Sequence, residues 1–432
     1  YQMCRVCHPL GARSLLREVH RARPMCHYAI NADGTVKRSR APVLRQEPNS
    51  LYSPEAAADA IHDNQLEVIR RIVDHPRLRD RPISLPLTGG MDSRHLLGAL
   101  REVGRSPDRL RHVRVQDSEY QPVRAIADAL AIPLASPRVA ELPLSDLAQH
   151  WLLHTGGLVH FHQLYLLGAA PDSGPTALGL DGYLADFFFS GFILPKPLRT
   201  RKYSGNALQL LFPDHRDLEA EWEAILDDES SRWQGSEDFK ARGVDCMNRG
   251  PGYTGALFPI FAGCDSFAPA AHRSALDLFR KIPEEVARAK RARVQMFRRH
   301  YPELAGFASE YGLDLNQSDD VVVPRQRAAG EALNFIIGMI PGSGRDPAPG
   351  TPHEWLRTID FYRHLMNRLA NDSALARDNH FSQRRLRALW TYEKGGGFVG
   401  WMLMGLVSAE VAYRMFVDGQ SLTEVSEWLI AT

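Results

Sequence analysis

The feature that most constrains the fold of this chain is a glycine-containing loop between an apolar strand-like run and an apolar helical face. Residues 83–87 have the pattern of a buried strand, and after the loop Leu96, Leu97, Leu100 and Val103 recur at helical spacing. The loop consists of Thr88, Gly89, Gly90, Met91, Asp92 and Ser93. Glycines allow a sharp turn in which backbone N–H groups converge, hydroxyls add donors, and the following helix presents its positive end. This arrangement predicts a phosphate-binding site.

Asp92 adds a second constraint, because a carboxylate repels phosphate unless a cation lies between them. We therefore expect Mg²⁺ at Asp92, bound together with ATP. The loop lacks the Gly-Lys-Ser/Thr sequence of a Walker A motif. It is therefore expected to hold the pyrophosphate portion of ATP, with attack at the α-phosphorus. The alternative is an ordinary strand-to-helix turn, since short glycine motifs occur by chance.

The surrounding pattern predicts an α/β fold with a doubly wound, mainly parallel sheet. Strands are expected at 83–87, 112–115 and 176–181, and helices at 123–130 and 144–154. A further helix is expected from Ser53-Pro54, a cap followed by proline, with Ile61, Val68, Ile69, Ile72 and Val73 on one face. Pro86 is irregular inside a strand, because proline donates no ladder hydrogen bond.

The chain of 432 residues divides into a short segment, 1–50, and one large unit, 51–432. In the short segment, residues 27–30 and 35–38 flank a glycine-containing turn and predict a hairpin. That piece is too small for a core of its own, so we expect it to pack on the large unit. The part beyond about residue 265 has a mainly helical pattern, interrupted by a loop at 341–352.

Composition excludes some classes of partner. The formal net charge is only +1, so the protein as a whole has no positive electrostatic field that would attract nucleic acid or an anionic membrane. No apolar stretch reaches the roughly 18 residues of a spanning helix, and the first residues lack the pattern of a signal peptide. We expect a cytoplasmic protein with no nucleic-acid partner and no membrane partner.

The cysteines carry two weaker hypotheses. Cys4, Cys7 and His8 match the haem-attachment pattern C-x-x-C-H, and Cys26-His27 nearby makes a zinc site conceivable. Nothing else in the sequence supports haem attachment, and a single CxxC is weak evidence for zinc. Ordinary reduced thiols are the favoured interpretation.

The segment LPLTGGMDSR, residues 85–94, resembles the synthetase domain of the asparagine synthetase family. That family has an S-G-G-x-D-S loop of the PP-loop ATP pyrophosphatase type and includes asparagine synthetases, β-lactam and carbapenam synthetases and lasso-peptide cyclases. The resemblance covers about residues 50–310. It implies the adenine nucleotide α-hydrolase fold, the cofactors ATP and Mg²⁺, and amide formation through an acyl-adenylate.

A second family motif, G-D/E-G-x-D-E-x-F-G-G-Y, is matched imperfectly by GLDGYLADFFFSGF. Asp186 falls on the metal-binding aspartate, and Gly191-Phe192 falls on the closing pair. Asp181 stands in for the upstream acid, two residues too far away, and is a candidate catalytic residue. Phe187 replaces the second acid, which puts the complete metal shell in doubt. The alternative for Asp186 is a simple helix cap.

A third segment, YEKGGGF at 392–398, resembles the lysine- and glycine-rich stretch near the end of these domains. The resemblance implies that Lys394 is catalytic, binding the polyphosphate and stabilising developing negative charge. The chain has only seven lysines, which narrows the choice. The alternative is an exposed lysine in a loop.

Other polar residues have roles that the sequence leaves open. Asp117, Ser118 and Glu119 either face the nucleotide or are solvated. The four histidines between 150 and 162 are expected to be packed or on the surface, with an acceptor pocket as the alternative; they are His150, His154, His160 and His162. Asp265 and the cluster Lys290, Arg291 and Arg293 lie where the family has further pocket residues, but no local pattern fixes what they do.

Glutamine-dependent members of the family begin with a glutaminase whose catalytic cysteine is the first residue. Met3-Cys4 is superficially similar, but about 45 residues before the synthetase helix are too few for such a domain. Residues 15–38 instead resemble the end of that domain. Free ammonia or a substrate amine is therefore the expected nucleophile.

The sequence thus predicts an AMP-forming, ATP- and Mg²⁺-dependent carbon–nitrogen ligase. Its substrate would be a small-molecule or peptide carboxylate with an amine nucleophile, as in lactam closure or lasso-peptide cyclisation, with a precursor peptide and a protease as partners. The alternatives are an ammonia-dependent amidating enzyme, a PP-loop enzyme that modifies tRNA, and a non-catalytic relative.

Overall fold

A computed structural model describes most of the chain. The described residues are 53–115, 117–157, 159–169, 177–190, 215–249, 265–287, 290–308, 351–396 and 399–430, with shorter stretches at 2, 11, 13–15, 18–23, 26–40, 43–47, 51, 211–212 and 314–317. The loop predicted at 341–352 falls almost wholly outside these residues.

The strands of the described residues form three sheets. They are β1 (Cys26–Ile30), β2 (Val36–Arg40), β3 (Leu44–Arg45), β4 (Ile83–Pro86), β5 (Arg109–Arg111), β6 (Leu134–Ala135), β7 (Leu178–Leu180), β8 (Trp233–Gln234) and β9 (Asp265–Phe267). The main sheet has five strands in the order β6-β5-β4-β7-β9, and every neighbouring pair is parallel. Counted along the chain, this is the order 3-2-1-4-5 of a doubly wound sheet, whose direction of winding reverses between β4 and β7.

Pro86 lies at the end of β4, where the sheet opens. Because Leu178 donates to the carbonyl of Pro82, alternate residues of β4 point towards β7, and the nitrogen of Pro86 is one of them. That nitrogen carries no hydrogen, and the β4–β7 pairing ends at Ser84 with Gly179. The proline predicted to be irregular therefore marks the end of the ladder on the side where two loops emerge.

Helices surround this sheet and continue to the end of the described chain. They are α1 (Pro54–Val73), α2 (Met91–Glu102), α3 (Asp117–Leu130), α4 (Leu144–Thr155), α5 (Ala185–Phe189), α6 (His215–Ser230), α7 (Glu237–Arg249), α8 (Arg273–Phe279), α9 (Glu284–Ala287), α10 (Arg291–His300), α11 (Pro302–Ala305), α12 (Pro352–Thr358), α13 (Asp360–Asn371), α14 (Ala374–Arg377), α15 (Gln383–Lys394), α16 (Gly400–Phe416) and α17 (Leu422–Ile430). Short 3₁₀ helices span Val139–Glu141, Phe161–Ala169 and Pro269–Ala271.

The start of α1 agrees with the prediction from its sequence. The hydroxyl of Ser53 accepts a hydrogen bond from the Ala56 N–H at 3.1 Å, and Pro54 occupies the first helical position. Ile61, Ile69 and their neighbours on the same face are buried. The apolar periodicity and the cap together fix this helix.

Two predictions about the next elements of the chain were wrong in position. The second strand is β5, three residues before the predicted 112–115, because Leu110 and Arg111 pair with both β4 and β6. Helix α3 begins at Asp117, six residues before the predicted Val123, and contains Pro122. Pro122 is the sixth residue of this helix, so it has no N–H for the hydrogen bond to the carbonyl four residues earlier.

The described residues form two hydrophobic cores. The first joins the main sheet to α1, α2, α3 and the helices from α5 to α11. The second joins residues 139–167 to the helices from α12 to α17. The helical part predicted beyond about residue 265 therefore contributes to both cores, and β9 belongs to the main sheet.

The short segment packs on the rest of the chain through β3, whereas residues 27–39 of the hairpin are exposed, so the hairpin does not pack as expected. Strands β1 and β2 form the predicted antiparallel hairpin, with Gly34 at a φ of 81° in the turn. Strand β3 pairs with β8, and the Glu47 N–H donates to the carbonyl of Arg280. Across the described ranges, no helix combines the length and apolarity that crossing a bilayer requires.

Candidate functional site

The loop from Thr88 to Ser93 leads from β4 into α2, as predicted. The backbone N–H of Thr88 donates to the Ser93 hydroxyl at 3.0 Å, and the Gly90 N–H donates to the Thr88 hydroxyl at 3.2 Å. Both hydroxyls thus close the loop on itself. Gly90 has a φ of −75° and Gly89 is outside the positive-φ region, so the backbone conformation alone does not require glycine. The sharp glycine turn that the sequence predicts is therefore not needed at either position.

Arg94 holds this loop from the inside. Its side chain is completely buried, and its Nη2 donates to the Gly89 carbonyl at 3.0 Å. Its Nη1 donates to the Phe307 carbonyl at 2.8 Å, and Nη2 also contacts the Ala308 carbonyl. Because Arg94 engages the Gly89 carbonyl within the protein, that acceptor is unavailable to repel an anion. No pattern in the sequence singles out this arginine.

The second predicted loop follows β7. The Asp181 N–H donates to the Phe267 carbonyl at 3.0 Å, and its carboxylate accepts a hydrogen bond from the Tyr183 N–H at 2.7 Å. Burial raises the pKa of Asp181 to about 6, although the hydrogen bond from Tyr183 opposes this. Leu184 has a φ of 68°, a left-handed conformation that is strained for a branched side chain.

The two loops touch at Gly182. A Cβ atom added to this glycine would lie 2.6 Å from the Cβ of Asp92, closer than real Cβ atoms approach. Any other residue at position 182 would therefore push the loops apart. The structure thus brings Asp92 and Asp186 together, the pair assigned to the metal from sequence.

Two cations at the start of α10 contact these carboxylates. Nη1 of Arg293 contacts the Asp92 carboxylate and lies 3.0 Å from Oδ1 of Asp186. Nζ of Lys290 lies 3.0 Å from the same Oδ1. Lys290 has a φ of 60° and is nearly buried, and Arg293 is completely buried. The sequence pattern left this cluster without a role, and the structure connects it to both loops.

Arg293 is only partly satisfied by these contacts. Its Nη1 also donates to the Ser190 hydroxyl at 3.2 Å, while its Nε and Nη2 are buried without a hydrogen-bond partner. Burying unpaired donors of a charged group is costly unless something else satisfies them. Because these two nitrogens have no exposed surface, a ligand could reach them only after the Arg293 side chain shifts.

The carboxylates respond to this environment in opposite directions. Burial is the largest influence on both groups and favours their neutral forms. For Asp92 burial prevails over the attraction of Arg293, so its pKa is raised. For Asp186 the pull of Lys290 and Arg293 prevails, so its pKa is lowered. Strong shifts of this kind occur at functional sites and also in structural ion pairs.

Lys394 is the last residue of α15, a helix that contributes Leu386, Leu389 and Trp390 to the second core. It is exposed, and its Nζ is 5.3 Å from the centroid of the Trp390 ring. No contact between described residues joins Lys394 to either loop. Its neighbour Glu393 is buried and accepts hydrogen bonds from the Val399 N–H at 2.6 Å and from Arg357 at 3.2 Å. Gly397 and Phe398 are outside the described residues, so the role of Lys394 stays a prediction.

Of the remaining candidate residues, some are packed inside the protein and others are outside the described residues. His160 and His162 are buried side by side, with 2.6 Å between their Nδ1 atoms, consistent with packed histidines. The side chains of Asp117 and Ser118, and Cys4, Cys7, Cys264, Gly191 and Phe192, are outside the described residues. In the part of the chain that can be described, no group of three or more His, Cys, Asp or Glu side chains could hold a metal.

The fold and the two loops define an α/β protein whose candidate ligand site lies at the switch point of a parallel sheet, where such sheets bind ligands. No protein-family model matches the chain, and no curated protein is significantly similar to it. The site itself therefore carries the functional argument.

Proposed function

We propose that this chain is an ATP-dependent carbon–nitrogen ligase of the PP-loop type that forms AMP and pyrophosphate. One observation carries the proposal. The Asp92 loop and the Asp186 loop follow the two strands at the switch point, and their carboxylates meet on one nitrogen of Arg293. A ligand with phosphates and a divalent cation suits this combination of hydroxyls, backbone N–H groups, paired acids and buried cations.

The residues present fit Mg²⁺ as part of a complex with ATP. Magnesium is commonly held by one or two carboxylates, with substrate phosphates and water supplying the other ligands, so Asp92 and Asp186 are sufficient. Bound there, the cation would neutralise charge on the phosphates. Arg293 contacts both carboxylates, so metal binding requires that it share or release them.

The other charged groups have separate tasks in this proposal. The Thr88 and Ser93 hydroxyls and the N–H groups at the start of α2 hold the pyrophosphate portion. Once the side chain shifts, the two unpartnered N–H donors of Arg293 would donate hydrogen bonds to the leaving pyrophosphate as negative charge builds on it. Lys290 keeps Asp186 ionised and in place.

The proposed reaction has two steps. A substrate carboxylate attacks the α-phosphorus of ATP, which releases pyrophosphate and forms an acyl-adenylate. An amine then attacks the acyl carbon, losing a proton, and AMP leaves as the amide forms. The substrate class is a small-molecule or peptide carboxylate, including macrolactam closure of a precursor peptide in natural-product biosynthesis, with a protease as a further partner. Asp181, in the second loop, and Lys394, which no contact between described residues joins to either loop, are the candidate catalytic residues.

ATP–pyrophosphate exchange with a panel of carboxylic acids tests the proposal. We expect exchange with at least one acid, and a loss of about a hundredfold or more in Asp92→Asn and in Asp186→Asn. Asp277→Asn, on α8 with a side chain that is 45% exposed, is the matched control and should exchange like the wild type. Unchanged exchange in Asp92→Asn, in protein with normal circular dichroism, would overturn the proposal.

A second candidate is a non-catalytic relative that binds a partner. The observation that favours it is the pairing of both acids with Lys290 and Arg293, which leaves the carboxylates charge-compensated without metal. Calorimetry with Mg²⁺ and ATP separates the two, since a chain that binds neither favours this candidate.

Two further alternatives differ in the acceptor. Ammonium-dependent formation of AMP from a carboxylic acid would indicate an ammonia-using amidating enzyme rather than a ligase for a substrate amine. The net charge of +1 argues against a tRNA-modifying enzyme. Salt-sensitive retention of tRNA would support it.

A further inference from the structure

A cavity lies at the edge of the main sheet, away from the two loops of the candidate site. It has a volume of about 680 Å³ and lies between β9 and the last turns of α1. Its floor is apolar and is formed by Val68, Ile72, Leu78, Phe267 and Ala268. The volume falls in the range of roughly 300–1,000 Å³ that small-molecule pockets occupy.

The rim of this cavity is basic. Arg71, Arg77 and Arg81 contribute three guanidinium groups, against one lining carboxylate from Asp265. Arg81 pairs with Asp265, and Arg71 lies 2.7 Å from Glu67. The side chain of Arg77 is exposed at the rim. The cavity thus combines an apolar floor with a surplus of positive charge.

The cavity is separate from the proposed ATP site. None of its lining residues belongs to the loops at 88–93 or 181–186. One backbone hydrogen bond, from Asp181 to the Phe267 carbonyl, connects the wall of the cavity to the second loop.

We propose that this cavity binds a small organic anion with an apolar body, such as an aryl or branched acyl carboxylate or sulfonate. The apolar body would cover the floor, and the planar guanidinium of Arg77 would bind the anionic head. An extended peptide is the less suitable occupant. In β9 only Ser266 turns its N–H and carbonyl outward, because Asp265 and Phe267 face β7, so a peptide would gain few backbone hydrogen bonds.

Fluorescence titration with two matched probes tests the proposal without using ATP. Anilinonaphthalene sulfonate carries the anion, and phenylnaphthylamine has the same apolar body without charge. We expect one saturable site per chain that prefers the sulfonate. Arg77→Ala should weaken sulfonate binding about tenfold and leave the uncharged probe unaffected. Arg79→Ala, an exposed arginine of the same segment that does not line the cavity, should change neither.

A filling variant provides a second measurement. Ala271 is exposed on the wall of the cavity, so Ala271→Trp should abolish binding of both probes. If that variant does not fold, the comparison of Arg77→Ala with Arg79→Ala is sufficient to test the proposal. Octanoate should displace the sulfonate. Equal affinity for both probes, equal effects of the two arginine variants, binding that persists in folded Ala271→Trp, or displacement by an acidic peptide but not by octanoate would each overturn the proposal.

Discussion

Arg293 is a charged side chain with no exposed surface, and its neighbours explain how the protein tolerates it. Asp92, Asp186 and Ser190 surround one end of its guanidinium group, while two nitrogens lack partners. A buried charge of this kind does little for stability by itself. Removing it, however, leaves the carboxylates of Asp92 and Asp186, which are 29% and 41% exposed, facing each other.

Replacement of Arg293 by methionine is expected to destabilise the fold by about 1–3 kcal/mol without ligand, because both carboxylates stay partly exposed and Lys290 still pairs with Asp186. Mg²⁺ would substitute for the missing charge, so added Mg²⁺ should raise the melting temperature of Arg293→Met more than that of the wild type. Thermal unfolding with and without Mg²⁺ measures both effects. Arg273→Met, at an exposed arginine, should stay within about 0.5 kcal/mol of the wild type. No difference in the response to Mg²⁺ would contradict the metal assignment.

Asp181 gives a prediction for the pH dependence of stability. Its pKa is about 6 in the folded protein, above its ordinary 3.8, so the fold favours the protonated form. The associated stability is present below the ordinary pKa and is lost as the pH rises through about 6. Asp181→Asn should therefore be more stable than the wild type near pH 8, by at most about 3 kcal/mol. Urea unfolding at about pH 5 and pH 8 checks this, and an equal difference at both values would refute it.

At the scale of elements, the contact between the two loops depends on Gly182. Gly182→Ala should force the Asp92 and Asp186 loops apart, lower stability by about 1–3 kcal/mol and abolish nucleotide binding. Gly306→Ala is the control, because its added Cβ would have no neighbour closer than 3.5 Å. Calorimetry with Mg²⁺ and ATP measures the outcome. Nucleotide binding at wild-type affinity in Gly182→Ala would show that loop contact is unimportant.

The elements that were predicted correctly carry strong local signals. Helix α1 has a serine cap, a proline and an apolar face, and β4 is a run of apolar residues before a loop. Strand β5 was misplaced because its sequence, Arg-Leu-Arg, is short and charged, and only pairing with both neighbours makes it a strand. Tertiary contacts, which no local pattern contains, decided its position.

The candidate site divides in the same way. Asp92 and Asp186 could be predicted because each lies in a recognisable segment after a strand. Arg94 is part of the helix and looks like a surface residue in sequence, although it is completely buried. Lys290 and Arg293 meet Asp186 from more than a hundred residues further along the chain. These contacts depend on how α10 packs against the rest of the first core, which no local sequence pattern contains.

At the scale of the whole molecule, the two cores predict how ligand binding affects stability. The proposed ATP site belongs to the first core, so Mg²⁺ and ATP at about a hundred times the dissociation constant should add about 2.7 kcal/mol to its stability. Leu97→Ala in the first core and Leu406→Ala in the second should each cost about 2–5 kcal/mol. Both leucines are buried. Scanning calorimetry of both variants, with and without ligand, tests the expectation.

If the two cores unfold together, the ligand should compensate for both substitutions equally. If they unfold separately, it should shift only the transition that Leu97→Ala lowers. A ligand-induced shift confined to the transition that Leu406→Ala lowers would place the nucleotide in the second core and contradict the assignment.

The proline at the end of β4 determines how far the crevice between β4 and β7 can close. The gap between β4 and β7 would narrow if their ladder gained one more hydrogen bond beyond Ser84 and Gly179. Here the next rung would need a hydrogen that the ring nitrogen of Pro86 does not possess. The proline therefore keeps the two strands apart at this point. A residue with an N–H at position 86 would let the β4–β7 pairing extend and would narrow the entrance to the crevice.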